Sequence, residues 1–190
     1  VPHDVDGLVE LMGGRDAFIG KLDSLFTADS KLEGESTSVD ISGLIGQYAH
    51  GNEPSHHIAH LYNYVGQPWR TQEIVDEVLH TLYFNNPDGL SGNEDCGQMS
   101  AWYILNAMGF YQVCPGKPVY SIGRPLFNEA TVHLKDGKSF KVIAHNNSRD
   151  NKYVRSIVLN GNKLETPFFT HQDIVDGGTL ELTMGSEPLK

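Results

Sequence analysis

The sequence predicts an α+β fold, with helical hairpins over residues 1–117 followed by a small antiparallel β-sheet region over 118–190. Three observations predict it. Apolar residues recur with a helical period as far as Met108, the period changes to two after Cys114-Pro115-Gly116, and Asp-Gly and Asn-Gly pairs interrupt the second pattern where hairpins would turn. With 190 residues, 39% hydrophobic and 20% charged, the chain is long enough and apolar enough for a sizeable core.

Leu8, Val9, Leu11 and Met12 form the first helical set and stop at Gly13-Gly14. Behind Asp16 come Ala17, Phe18, Leu22, Leu25 and Phe26, and Ile41, Leu44, Ile45 and Tyr48 make a third set after a polar loop, Ala28 to Ser38. A fourth helix is expected from Ser55, carrying Ile58, Leu61, Tyr62 and Val65, with Gly66 and Pro68 as its stop. Thr71 is the expected N-cap of a fifth, Gln72 to Phe84, and the sixth runs from Gly97 to Met108 and ends at Gly109. In the second part, Thr131–Leu134 and Ser139–Ala144 flank Asp136-Gly137. Tyr153–Leu159 and Lys163-Leu164 flank Asn160-Gly161, and Thr179–Met184 supplies the last strand.

Charge is unevenly placed. Residues 1–117 hold 16 acidic and 5 basic side chains, a net −11, whereas 118–190 hold 8 acidic and 9 basic, a net +1. An acidic surface repels phosphate backbones, so nucleic acid is not an expected partner. Apolar runs are a few residues long, far short of the ~20 that cross a bilayer, so no membrane-spanning segment is expected. No leader pattern stands at the N-terminus, and the chain opens on a motif already under way, as a mature or cut sequence would. Cys96 and Cys114 lack metal-site spacing and are expected to be free thiols.

Two loops place carboxylates and amides just before helices. In Gly51-Asn52-Glu53-Pro54-Ser55-His56-His57, Ser55 as N-cap and a rigid Pro54 would leave Asn52 and Glu53 in a fixed turn at a positive helix end. Helix-dipole complementation by Glu53 accounts for this segment equally well. In the loop Gly89 to Gly97, glycines allow close backbone approach, and Glu94 and Asp95 are expected to point different ways, one to a cation and one free as a base. Acids are common at helix starts, but Trp102 and Tyr103 beyond them would add the aromatic surface that a sugar site needs. His56 and His60 share a helix face, yet the zincin pattern requires Glu where His57 stands, so zinc is not expected. His3-Asp4-Val5-Asp6-Gly7 lacks the frame of a calcium loop and reads as helix capping by Asp4 or Asp6. Nucleophile elbows, phosphate loops and dinucleotide fingerprints are absent.

Three stretches, VPHDVDGLVELMGG, GNEPSHHIAHLYNYVGQPWRTQ and DGLSGNEDCGQMSAWYILNAMGFYQVCPG, resemble the C-terminal portion of the glycoside hydrolase family 92 α-mannosidases. The resemblance runs through most of Val1 to Gly116 and more weakly beyond. It implies a calcium-dependent, inverting, exo-acting α-mannosidase, with α-1,2 linkages the expected target, whose catalytic domain is an (α/α)6 barrel behind an N-terminal β-sandwich. It implies that Asp95 is the general base with Glu94 beside it, that Asn52, Glu53 and Asp95 hold Ca2+, and that Glu53, His56, His57 and Asn93 contact an α-mannoside glycan. Such an enzyme would be periplasmic or secreted, of bacterial type.

Two departures qualify the carry-over. Asn93 stands where the family often has an acid. The family's general acid belongs to a Glu-Gly-Asn-x-Trp-Gln-Tyr segment that this chain lacks, so it is expected to be a fragment carrying half of an active site, partnered by the N-terminal part of its parent enzyme. Inverting hydrolysis needs that acid on the leaving oxygen and a base roughly 6.5–9.5 Å away to activate water. Two other classes are open on the residues: a non-catalytic carbohydrate- or calcium-binding module, and a glycan phosphorylase or lyase, whose anion site the −11 segment disfavours.

Overall fold

The computed structural model describes residues 2–32 and 41–190. Helix α1, Val5–Leu11, starts where Asp4 Oδ1 accepts the Gly7 N–H at 3.0 Å, the capping expected of Asp4 or Asp6. Helix α2, Arg15–Thr27, follows Gly14 and buries Phe18, Leu22 and Phe26. The predicted loop is non-helical from Ala28 to Leu32, and its remainder lies outside the described residues.

The third helical set is corrected. Strands β1, Leu44–Ile45, and β2, Tyr48–Ala49, form an antiparallel hairpin there. Gly46 adopts φ 59°, and a Cβ at this position would collide with the backbone of Leu25 and Phe26. A left-handed residue pressed against α2 cannot lie inside a helix. The helix expected from Ser55 is instead two 3₁₀ segments, Glu53–Ser55 and Ile58–Val65, and Ser55 closes the first rather than capping the second. Helix α3, Pro68–Thr81, begins four residues before the predicted Gln72, because Pro68 takes the first helical position, where its missing N–H costs nothing. Helix α4, Gln98–Met108, lies between Gly97 and Gly109 as read from the sequence. Gly109 has φ 104° with Pro125 Cβ 3.1 Å from where its own Cβ would stand.

Both predicted hairpins form, but inside a larger arrangement. Strands β3, Phe110–Tyr111, and β4, Val119–Ile122, precede β5, Glu129–His133, and β6, Ser139–His145. Then come β7, Tyr153–Leu159, β8, Asn162–Lys163, β9, Phe168–Thr170, helix α5, His171–Val175, and β10, Gly178–Gly185. The order β5-β6-β10-β7-β8 makes one sheet, and β3-β4-β9 a second. The expectation of a wholly antiparallel sheet is corrected at one place: β10 runs parallel to β6, with Leu180 opposite Val142, while pairing antiparallel with β7. Asp136 and Asn160 take φ of 65° and 50° at the two hairpin turns, the backbone that Asp-Gly and Asn-Gly turns require.

Two buried apolar clusters result. One joins α1, α2, the second 3₁₀ segment and α3 around Phe18, Tyr62, Val78 and Trp102. The other fills the sheets around Phe110, Phe140, Leu180 and Leu182. Buried polar contacts tie them: Gln72 Oε1 accepts the Val154 N–H at 3.1 Å, and His60 Nδ1 meets Ser121 Oγ at 3.1 Å.

Candidate active site

The chain brings Glu53 and Asp95 together from positions far apart in sequence. The Glu53 carboxyl beside Asp95, with lesser contributions from desolvation and from the charges of Glu53 and Glu94, raises the Asp95 carboxyl above its ordinary value. Glu53 Oε1 is buried without a hydrogen-bond partner. Glu94 turns the other way. Its Oε1 accepts the Ser100 N–H at 2.7 Å, and bonding to Ser100 lowers its pKa, so this carboxylate is occupied in capping α4. The two adjacent acids thus diverge, and Asp95 is the one that meets the other loop.

The backbone around Asp95 is unusual. Asp95, Cys96 and Gly97 take successive φ of 49°, 57° and 91°. Two non-glycine residues in the left-handed region carry strain that persists only where the surroundings fix them. The Asp95 carbonyl accepts the Gln98 N–H at 3.2 Å and the Glu94 carbonyl the Met99 N–H at 3.3 Å, which folds the turn onto the first residues of α4.

Below the two loops lies a buried polar network. His50 is fully buried, with Tyr48 Oη 2.8 Å from Nδ1 and Tyr83 Oη 2.7 Å from Nε2. Tyr83 Oη donates to the Met99 carbonyl at 3.1 Å, so it accepts from His50 Nε2–H, and His50 Nδ1 accepts from Tyr48. His56 donates Nε2–H to the His50 carbonyl at 3.0 Å, and its Nδ1 accepts from Gln98 Nε2 at 3.1 Å. Trp102 Nε1 donates to the His56 carbonyl at 3.1 Å. His50 and His56 stack at 4.7 Å, with the Trp102 ring edge-on to His50 at 4.4 Å.

These placements sort the predicted residues. Asn52, at the start of the first 3₁₀ segment, Glu53 and Asp95 stand on the two facing loops. His57 is half-buried, with burial lowering its pKa against the opposing pull of the Pro54 backbone, and Asn93 is exposed. His56 is 1% exposed with both ring nitrogens engaged inside the protein, so it reaches the site through its neighbours. Trp102 is corrected: it is completely buried and offers no open aromatic face. Met99, Trp102 and Asn106 form the buried side of α4 instead. Exposed aromatic surface is found nearby, in a cavity of about 590 Å3 whose lining includes Phe84, Asn86, Ser100, Tyr103 and Ile104. No local sequence pattern marks His50, Tyr83, Gln98 or Tyr111, because contacts across tens of residues leave no local period.

The histidine pair four apart does not make a zinc site. His60 Nε2 bonds Asn106 Oδ1 at 2.8 Å and its Nδ1 bonds Ser121, leaving no free nitrogen. Among the described residues, no three His, Cys, Asp or Glu side chains gather as a metal cage. Both cysteines are free, Cys96 exposed and Cys114 half-buried.

A family model described as the glycosyl hydrolase family 92 catalytic domain matches residues 1–186. The chain belongs to this family. Among solved structures of family 92, the α-mannosidase BT3965 from Bacteroides thetaiotaomicron in complex with mannoimidazole is 42% identical, with a TM-score of 0.93 over 99% of this chain and 24% of its own. The inverting mannosidase BT2199 from the same organism is 44% identical with a TM-score of 0.84, covering 99% of this chain and 26% of its own. An uncharacterized secreted glycosidase of Arthroderma benhamiae is 32% identical over 98% of this chain and 22% of its own length. The family 92 chain described here therefore spans about a quarter of the length of the relatives it matches.

Proposed function

We propose that this chain is the C-terminal part of a calcium-dependent, inverting exo-α-mannosidase that removes α-linked mannose, α-1,2 linkages foremost, from glycans. The single observation that carries the reading is the contact between the Glu53 and Asp95 carboxyls across two loops, in a chain that belongs to family 92. Asp95 is the proposed general base. Proximity to Glu53 raises its proton affinity, which is what a carboxylate needs to draw a proton from an attacking water. The proposed N-terminal part supplies the acid on the opposite face of the sugar, and helices α1 to α4 contribute to an (α/α)6 barrel that it completes, with residues 118–190 as the C-terminal β-rich region.

The residues fit calcium by one test of the structure itself: Glu53 Oε1 is buried and lacks any partner. The Glu53 and Asp95 carboxylates and the Asn52 amide are hard oxygen donors, and roughly six to eight are needed around this ion, so water, sugar hydroxyls or the N-terminal part complete the shell. When bound, calcium supplies a cation that holds sugar hydroxyls and favours ring distortion. In the protein's own share of the work, Glu53 holds Asp95 in place and Asp95 takes the proton from water. His57 and Asn93 are proposed substrate contacts. The name of the Arthroderma relative supports a secreted location, and no helix among the described residues is long and apolar enough to cross a membrane.

The test is Asp95→Asn in the full-length enzyme assayed on an α-1,2-mannobioside. Turnover is expected to fall by about 10²–10⁴, the usual contribution of a general base. Normal turnover in this variant would overturn the reading.

A further inference from the structure

We infer that Gln98, acting through His56, is a positioning residue that sets Asp95 against Glu53; this inference rests on the base assignment proposed above. The argument starts from the strained turn. Asp95 and Cys96 are both left-handed, and such residues stay put only when their surroundings over-determine them. The Glu53 loop and the Asp95 loop are far apart in sequence, so something other than chain connectivity must hold them in register.

Gln98 begins α4, three residues after Asp95, and its backbone N–H already bonds the Asp95 carbonyl at 3.2 Å. Its side-chain amide carries two N–H groups and uses both. One reaches His56 Nδ1 at 3.1 Å and the other Tyr111 Oη at 3.2 Å. His56 follows Glu53 by three residues, and its N–H bonds the Glu53 carbonyl at 2.9 Å. Its ring cannot turn away, because the His50 carbonyl only accepts and so fixes the proton on Nε2, leaving Nδ1 as the acceptor that Gln98 requires. Trp102, one turn along α4, closes a second bridge by donating to the His56 carbonyl at 3.1 Å. The path from one carboxylate to the other is therefore Glu53 backbone, His56 ring, Gln98 amide, Asp95 backbone, with Trp102 as a parallel strut. His56, which the family resemblance sets against the sugar, serves as a relay within this path.

Gln98→Met in the full-length enzyme keeps side-chain length and removes both N–H donors. The expected result on an α-mannoside is a kcat lower by about tenfold to a hundredfold, the cost of a reacting group displaced by an ångström or so, with KM held within about twofold. In an Asp95→Asn background the same substitution is expected to add nothing, because a residue that works through Asp95 has nothing left to position. Trp102→Phe, which deletes the second strut, is expected to lower kcat with the same sign, and it decides by the same criterion should Gln98→Met not fold. Asp95→Asn inactive beside fully active Gln98→Met and Trp102→Phe would overturn the positioning role alone. An additive loss in the Asp95→Asn background would do so too. An active Asp95→Asn enzyme would instead overturn the base assignment.

Discussion

Arg124, 2% exposed, sets its Nε 2.9 Å from Oδ1 of Asp76 and so ties helix α3 to the segment between β4 and β5. The N–H does not aim at that oxygen, and neither atom completes a hydrogen bond there, so the attraction is one of charge in a dry place. The other guanidinium nitrogens bond the Pro125 carbonyl at 2.6 Å and the Ser148 carbonyl at 3.0 Å. Arg124→Met would strip Asp76 of its close cation and leave His80 at 3.2 Å and Arg149 at 3.7 Å. Removing one partner of a buried pair costs about 3–5 kcal/mol, more than removing both. Urea denaturation should show that loss in Arg124→Met and a smaller one in Asp76→Leu/Arg124→Met. A single-variant loss below about 1 kcal/mol would assign the pair to the surface class.

Acid should weaken the fold through its buried histidines. Burial lowers the pKa of His60 to about 4 and, with repulsion from His56, that of His50 to about 3, from an ordinary 6.5. The unfolded chain therefore binds more protons between those values and 6.5, so stability is complete above 6.5 and is lost as pH falls through the window. Each histidine contributes up to about 1.4 kcal/mol per pH unit. Melting midpoints taken from about pH 7 to pH 5 should decline, and His60→Gln should flatten the decline. Equal slopes in the two proteins would show that His60 does not carry it.

The same residues show what the sequence could convey. Helix α4 was legible because Gly97 and Gly109 bound an apolar run, and the β5–β6 and β7–β8 hairpins because Asp136 and Asn160 accept left-handed backbone. Ile41 to Tyr48 misled because three-to-four spacing of apolar residues also fits a hairpin broken by Gly46. The β3-β4-β9 sheet was invisible: its strands are two to four residues long, and β9 arrives from far along the chain. At the site, the segments holding Glu53 and Asp95 could be picked out, since acids just before expected helix starts are a local pattern. Their pairing could not, because it depends on His56, Gln98 and Trp102 meeting in three dimensions. Trp102 is ambiguous in sequence for the same reason: an aromatic one turn or more past two acids can face the site or the core, and only packing against His50 and Tyr83 decides.

Thiol chemistry gives an inexpensive check of the Asp95 turn. Cys96 is exposed in the left-handed stretch and Cys114 is half-buried near Tyr64. A thiol titration of the native protein should count both cysteines as free, with Cys96 reacting first, because reagent reaches the exposed side chain more readily than the half-buried one. A single slow phase, or no reaction without reductant, would contradict the exposed geometry of that turn.

Calcium should act through Glu53. Two neighbouring carboxylates, one with an unpartnered buried oxygen, repel each other once both are ionised, and a divalent cation between them removes that repulsion. The full-length enzyme should therefore melt higher with calcium than with chelator, by the equivalent of about 2.7 kcal/mol when the ion is a hundredfold above its dissociation constant. Glu53→Gln keeps the shape of the side chain and removes its charge, so it should weaken that shift sharply while leaving the chelated protein no less stable than the parent. Relief of repulsion in the apo state and loss of ion binding then appear as opposite signs in one pair of melting curves. A Glu53→Gln enzyme whose calcium shift matches the parent's would remove Glu53 from the ion site.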